Sequence, residues 1–291
     1  MAPRIDQTRL YSFGLTDPGR SREGNEDALF ASDEQGLFVV SDGMGGQQAG
    51  GLASAMTVQS LPLMLSGISE NRASGAEDIS PVEVALGLVR AIERINKMLL
   101  EKTEGHPEVR GLGATVVSAM NAGDGILAIA NLGDSRAYLL RGRILERLTT
   151  DHTLAGVLLA SGRITRKQFS RHPSRHVLTR HIGSENGLGA DTGLLRMRLG
   201  DRILLCSDGL TGMLSDAKIG SILLANPSRE AACRSLVKHA NKAGGSDNIT
   251  ALVVDVGQQD SAKTGNGRRV IVRRTIGHSL SHVLRFTQEE E

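Results

Sequence analysis

Two stretches of this chain end a hydrophobic run on the same dipeptide. At 37–46, LFVVSDGMGG, four apolar residues lead to Asp42-Gly43, and at 203–210, ILLCSDGL, the run leads to Asp208-Gly209. A buried strand that stops at a carboxylate, followed by glycines that free the backbone to turn sharply, presents a hard-metal ligand at a sheet edge. A third run, ILAIANLGD at 126–134, ends on Asp134. In the reverse order, Asp247 stands just ahead of an apolar run at 249–256. Four carboxylates at four strand ends, with no histidine or cysteine clustered beside them, read as an oxygen-ligand site for magnesium or manganese.

The rest of the pattern gives these ends a scaffold. Short strands are expected at 10–15 and 37–41, with a polar loop at 19–27 between them. A helix is expected over 46–65, bent near its end by Pro62, and another over 81–102, where Val84, Leu88, Ile92, Ile95 and Leu99 recur at threes and fours. Strands at 114–120, 126–131, 137–141 and 144–148, separated by glycine-containing turns, read as an antiparallel meander. The stretch 151–191, rich in His, Arg and Ser, reads as a flap over one sheet edge, with a short helical piece near 153–161. A hairpin over 194–199 and 202–207 follows. Two serine-capped helices at 215–225 and 228–241 and a closing strand at 249–256 complete the pattern. Antiparallel strand groups with helices set between them argue for an α+β architecture rather than a doubly wound parallel sheet.

Composition narrows the function. Five Phe, two Tyr and no Trp leave few platforms for stacking bases or sugars, and a net charge of +2 implies no strongly basic face, so nucleic acid is not an expected partner. Cys206 and Cys233 sit in apolar patterns and read as small core residues of a reducing compartment. The N-terminus lacks the apolar run of a signal peptide, and no stretch is expected to span a membrane, so the cytoplasm is the expected location. Basic and acidic residues balance up to Val256. The stretch 263–285 then carries Lys263, Arg268, Arg269, Arg273, Arg274 and Arg285 with no acid, before three glutamates end the chain. A folded domain over 1–256 and an appended tail over 257–291 are the expected organisation.

In order and without gaps over 11–256, eight motifs resemble the metal-dependent serine/threonine protein phosphatases of the type 2C or PPM family, in their bacterial form. They stand as Arg22-Glu-Gly-Asn-Glu26-Asp27, Val40-Ser-Asp42-Gly43-Met-Gly-Gly46, Gly113-Ala-Thr115, Asn131-Leu-Gly-Asp134-Ser-Arg136, Asp151-His152, His172-Pro173 with Val177-Leu-Thr-Arg180, Ser207-Asp208-Gly209-Leu210 and Gly245-Ser-Asp247-Asn248-Ile-Thr250. The resemblance implies a four-layer α/β/β/α sandwich of two antiparallel sheets flanked by helices. It also implies hydrolysis of phosphoserine and phosphothreonine on proteins, opposing a Ser/Thr kinase, by a monomer using Mn2+ or Mg2+.

The same resemblance assigns roles to residues. Asp42 bridges two ions, the Gly43 carbonyl binds the second, and Asp208 and Asp247 complete the first. Asp134 with Asp208 holds a third, while Glu26 and Asp27 act mainly through waters. Arg22 grips the phosphate, because a planar guanidinium matches two of its oxygens. Eukaryotic members carry a histidine where Met44 stands, so the proton for the leaving oxygen has no assigned donor. Arg136 reads as a structural partner of a carboxylate. His152, His172, His176 and His181 match no zinc spacing and read as flap-surface or hydrogen-bonding residues. The alternative is a non-catalytic PPM-fold protein that binds phosphorylated partners, which should have lost Asp42, Asp208 or Asp247; all three are present. A phosphate loop fails for want of its Gly-Lys ending, and an EF-hand fails on acidic spacing.

Overall fold

The structure, a computed structural model, describes residues 8–45, 50–68, 70, 79–106, 111–169, 171–185 and 189–258. In strand β3 (Leu37–Met44) successive side chains alternate between two buried faces. Leu37 and Val39 pack with helices α1 (Gly50–Met64) and α2 (Pro81–Thr103), while Phe38 and Val40 pack into a second core. A strand covered on both sides reads as an unbroken apolar run rather than an alternating one. Strand β11 (Ile249–Gln258) does the same: Leu252 and Val254 join Phe38 and Val40, and Ala251 and Val253 face helices α6 (Asp216–Ala225) and α7 (Arg229–Lys242). The layers are therefore helices, sheet, sheet, helices, as expected.

One sheet has the order β1 (Thr8–Asp17), β11, β10 (Arg202–Cys206), β7 (Arg136–Arg141), β8 (Ile144–Arg147). The other runs β2 (Asp27–Ser32), β3, β5 (Val116–Gly123), β6 (Ile126–Leu132), β9 (Asp191–Arg196), with the two-residue β4 (Gly113–Ala114) beside β3. All pairings are antiparallel. Two expectations change here. The meander is split, because β5–β6 and β7–β8 are hairpins in different sheets and the chain crosses between them at 133–135. The hairpin over 194–207 is not one either, since β9 pairs with β6 and β10 with β11 and β7. Strand β2 was missed, its start being read as loop.

The helix expected over 46–65 begins at Gly50 among the described residues; 46–49 lie outside them. Pro62 sits within its last turn, and Pro81 opens α2, which Ser80 and Glu83 close with reciprocal hydrogen bonds. The helical stretch 50–68 is long and apolar enough to cross a membrane, contrary to the sequence expectation. Its Ala53, Val58 and Leu61, however, are packed in the core against β3 and α2. Ser215 and Ser228 cap α6 and α7 as expected. Between β8 and β9 lie two short helices, α3 (Leu154–Ala160) and α4 (Arg166–Phe169). The tail expectation falls, from 259 onward, outside the described residues.

Candidate metal centre

The two sheets are tied together at one end, and the tie is made by a carboxylate. Asp27, at the start of β2, is buried, and its Oδ2 accepts hydrogen bonds from Ser207 Oγ and Thr250 Oγ1, both 2.7 Å, which belong to the other sheet's ends. Asp27 is the register partner of Asp42 across the β2–β3 ladder. Ser207 precedes Asp208, the first residue of helix α5 (Asp208–Thr211), and Asp247 lies just ahead of β11. The sheet-to-sheet tie thus gathers carboxylates from both sheets.

The glycines act by close approach rather than by turning. Gly43 lies inside β3, and a Cβ there would stand 2.1 Å from the Gly50 carbonyl oxygen and 2.8 Å from that of Glu26. Gly209 lies inside α5, and a Cβ there would stand 2.0 Å from the Asn248 carbonyl oxygen. The Asp-Gly repeat therefore marks two places where backbones touch. The Gly43 N–H donates to Glu26 O at 3.2 Å, and its carbonyl oxygen faces Gly50.

The segments that carry the acidic residues are held by named neighbours. The Asp42 N–H donates to Thr115 Oγ1 at 3.1 Å, and Thr115 returns its N–H to Asp42 O at 2.8 Å. The Thr115 and Ser135 hydroxyls are 2.7 Å apart, linking Asp42 to the 133–135 crossing that carries Asp134. That crossing is braced by His152, buried rather than on the surface, whose Nδ1 accepts from the Gly133 N–H at 3.1 Å. This fixes the proton on Nε2, which donates to Asp191 at 3.0 Å. Arg136 makes a two-pronged pair with buried Asp151, 2.9 and 2.7 Å, in the structural role expected of it. Asp247 Oδ1 accepts from the Asn248 N–H, and its Oδ2 accepts from Arg22 Nη2, both at 2.9 Å. The Asn248 side chain clips the 18–26 loop by accepting from the Glu26 N–H and donating to Pro18 O and Gly24 O. Met44 packs beside Gly113, where a Cβ would stand 2.6 Å from its Cε.

The electrostatics of the cluster call for cations. Burial pushes the Asp27 carboxyl up to about 7 against the opposing Ser207 and Thr250 hydrogen bonds, with the Asp208 and Asp247 charges adding to the rise. Burial, then the charges of Asp27, Asp208 and Asp134, hold Asp42 well above the usual carboxylate range. Asp134 is raised likewise by burial and by Asp208. Glu26 is raised by burial, with Arg22 and the Gly51 and Gly50 amides opposing. Asp27 Oδ1 is buried without a hydrogen-bond partner. A crowd of oxygen donors that resist ionisation together is the donor set a hard divalent cation satisfies.

All eight residues singled out in the sequence, Arg22, Glu26, Asp27, Asp42, Gly43, Asp134, Asp208 and Asp247, meet at this end of the sandwich. His176, read from the sequence as a flap-surface or hydrogen-bonding residue, is both, and it also reaches this centre. Its Nδ1 lies 3.3 Å from Asp208 Oδ2, and ligating atoms of Asp134, His176 and Asp208 lie within 4.8 Å of one another. Its Nε2 accepts from Arg175 Nε at 2.8 Å, so Nδ1 carries the proton and donates to Asp208. No local pattern in the sequence could have found it, because the contact joins residues 32 positions apart.

The chain is similar to known proteins over most of its length. The family model described as protein phosphatase 2C matches residues 19–252. The serine/threonine phosphatase stp of Listeria monocytogenes is 36% identical over 243 residues, covering 82% of this chain and 93% of the relative. The crystal structure of the Mycobacterium tuberculosis serine/threonine phosphatase PstP/Ppp is similar with a TM-score of 0.75 at 31% identity, covering 86% of this chain and 100% of that one. The catalytic domain of PstP in complex with two manganese ions superposes with a TM-score of 0.74 at 30% identity, covering 86% and 100%.

Proposed function

The chain belongs to the protein phosphatase 2C family, and from that premise we propose that the carboxylate centre is where it hydrolyses phosphoserine and phosphothreonine on proteins. The observation that carries this reading is the pairing of Asp27 and Asp42 beside Asp208, Asp247 and Asp134, an excess of negative charge that cations must offset. Asp42, Asp208 and Asp247, with the Gly43 carbonyl, are the residues that would hold two Mn2+ or Mg2+ ions. Asp134 and Asp208 would hold a third, and Glu26 and Asp27 would act through waters. Bound there, divalent cations acidify water and draw charge from the phosphoryl group.

The chain's own residues orient the substrate. Arg22 is 54% exposed beside Asp247, and its planar fork offers paired N–H donors to two phosphate oxygens. The Asp247 pairing keeps Arg22 charged and aimed at the centre, its pKa raised by that hydrogen bond. Asn248, by clipping the 18–26 loop, holds Glu26 and Arg22 in place.

Further parts of the reading rest on the family and the sequence. The protein works as a monomer in the cytoplasm against a Ser/Thr kinase, its catalytic unit is 1–256, and 257–291 is appended. The test is release of phosphate from a phosphothreonine peptide with Mn2+ or Mg2+ and with chelator. Turnover that needs the metal is the expected result; turnover undiminished by chelator would overturn the reading.

A further inference from the structure

The segment between β8 and β9 differs in charge from the balanced body of the chain. From 152 to 184 it carries no Asp or Glu, but holds Arg163, Arg166, Lys167, Arg171, Arg175 and Arg180. Arg163, Arg166, Lys167 and Arg171 are exposed. Arg180 is engaged by Asp191 at 2.9 Å, outside that stretch. Beside the charges lies exposed apolar surface: Leu154 and Val157 stand one turn apart on α3, and the Leu154 N–H donates to Val177 O at 2.9 Å, bringing Val177 to the same place.

This surface adjoins the centre. Val177 follows His176, which donates to Asp208, and Arg175 donates to His176 in turn, so a chain of contacts runs from the basic segment to the carboxylates. A polypeptide whose phosphoryl group sits at the centre must pass close to this segment. Here a carboxylate on the substrate meets the exposed Arg163, Arg166 and Arg171, and an apolar side chain meets Leu154, Val157 and Val177. Complementary charge of this kind raises encounter rate and selects among partners, and salt screens it.

We propose that the 152–184 segment is a docking surface that selects phosphosites flanked by acidic residues. The proposal rests on the phosphatase reading above and names the substrate class for that site. Its occupant is the substrate rather than nucleic acid, because the surface is continuous with the phosphoryl site and lacks aromatic side chains other than Phe169.

The test compares two phosphothreonine peptides of one core sequence, flanked either by Asp and Glu or by Asn and Gln, using the full chain with Mn2+. The readout is the ratio of their kcat/KM values. A ratio of about tenfold favouring the acidic peptide is expected at low ionic strength, shrinking toward one at about 0.5 M salt. The combined variant Arg163→Glu, Arg166→Glu and Arg171→Glu should bring the ratio to one or below. Should that variant lose its thermal unfolding transition, the Gln set at the same positions reads the same ratio. A ratio of one in the parent, or one that the substitutions leave unchanged, would overturn the proposal. So would stronger inhibition of peptide turnover by duplex DNA than by an unphosphorylated acidic peptide. Metal-dependent hydrolysis of p-nitrophenyl phosphate in the same preparations separates these failures: its absence sinks the phosphatase reading itself, whereas its presence with a ratio of one sinks only the docking surface.

Discussion

Asp27 and Asp42 stand directly opposite each other across the β2–β3 ladder, a buried carboxylate facing a partly buried one. With Asp27 raised to about 7 by burial, the folded chain without metal binds more protons than the unfolded chain, whose Asp titrates near about 4. Stability in chelator should therefore fall as pH rises through the window between these values. Thermal unfolding between about pH 5 and about pH 7 checks it: the melting temperature should drop with pH, the drop should shrink in Asp27→Asn, and saturating Mn2+ should flatten it. A melting temperature in chelator that rises with pH, with the same slope in Asp27→Asn, would contradict the charge account.

Gly43→Ala and Gly209→Ala each ask a backbone carbonyl to move by more than a side-chain rotation can supply. Each should cost about 1–3 kcal/mol of stability and most of the activity. Denaturant unfolding and peptide turnover measure the two effects. Gly24→Ala, where a Cβ meets nothing within 4 Å, is the control and should do neither.

Those glycines show what the sequence could and could not reveal. The runs before Asp42 and Asp208 marked buried strands ending on carboxylates, because strands covered on both faces leave an unbroken apolar signature. The same runs could not tell a turn from a close approach, since glycine serves both. The α+β class followed from the grouping of strands and helices and the four layers from the family resemblance, but the sheet assignment of β7 and β9 followed from neither. Chain-adjacent strands usually pair, and only the crossing at 133–135 sends β7 to the other sheet. The reach of His176 to the centre was illegible for the same reason: its neighbours there are set by topology, not by spacing.

Arg136→Ala would leave Asp151, 3% exposed, charged without its two-pronged partner. The penalty for breaking a buried pair from one side is about 3–5 kcal/mol. Chemical denaturation should show a loss of that order. Arg147 lies 3.5 Å from Asp151 and can recover part of it. A loss under about 1 kcal/mol would show that the pair contributes little.

Arg22→Ala should raise KM and lower kcat/KM for a phosphothreonine peptide, while Mn2+ affinity measured by calorimetry stays within about twofold. Losing one charge-assisted contact corresponds to about 1.5–3 kcal/mol. Weakened Mn2+ binding with an unchanged KM would make Arg22 a prop for Asp247 instead.

The most direct measurement is Mn2+ bound per chain by equilibrium dialysis, taken alongside phosphopeptide turnover for the parent and for Asp42→Asn. The parent should bind about two ions tightly and turn over. Asp42→Asn should lose tight binding and nearly all turnover while its circular dichroism is unchanged. An Asp42→Asn protein that binds Mn2+ and releases phosphate like the parent would contradict a catalytic centre built on Asp42.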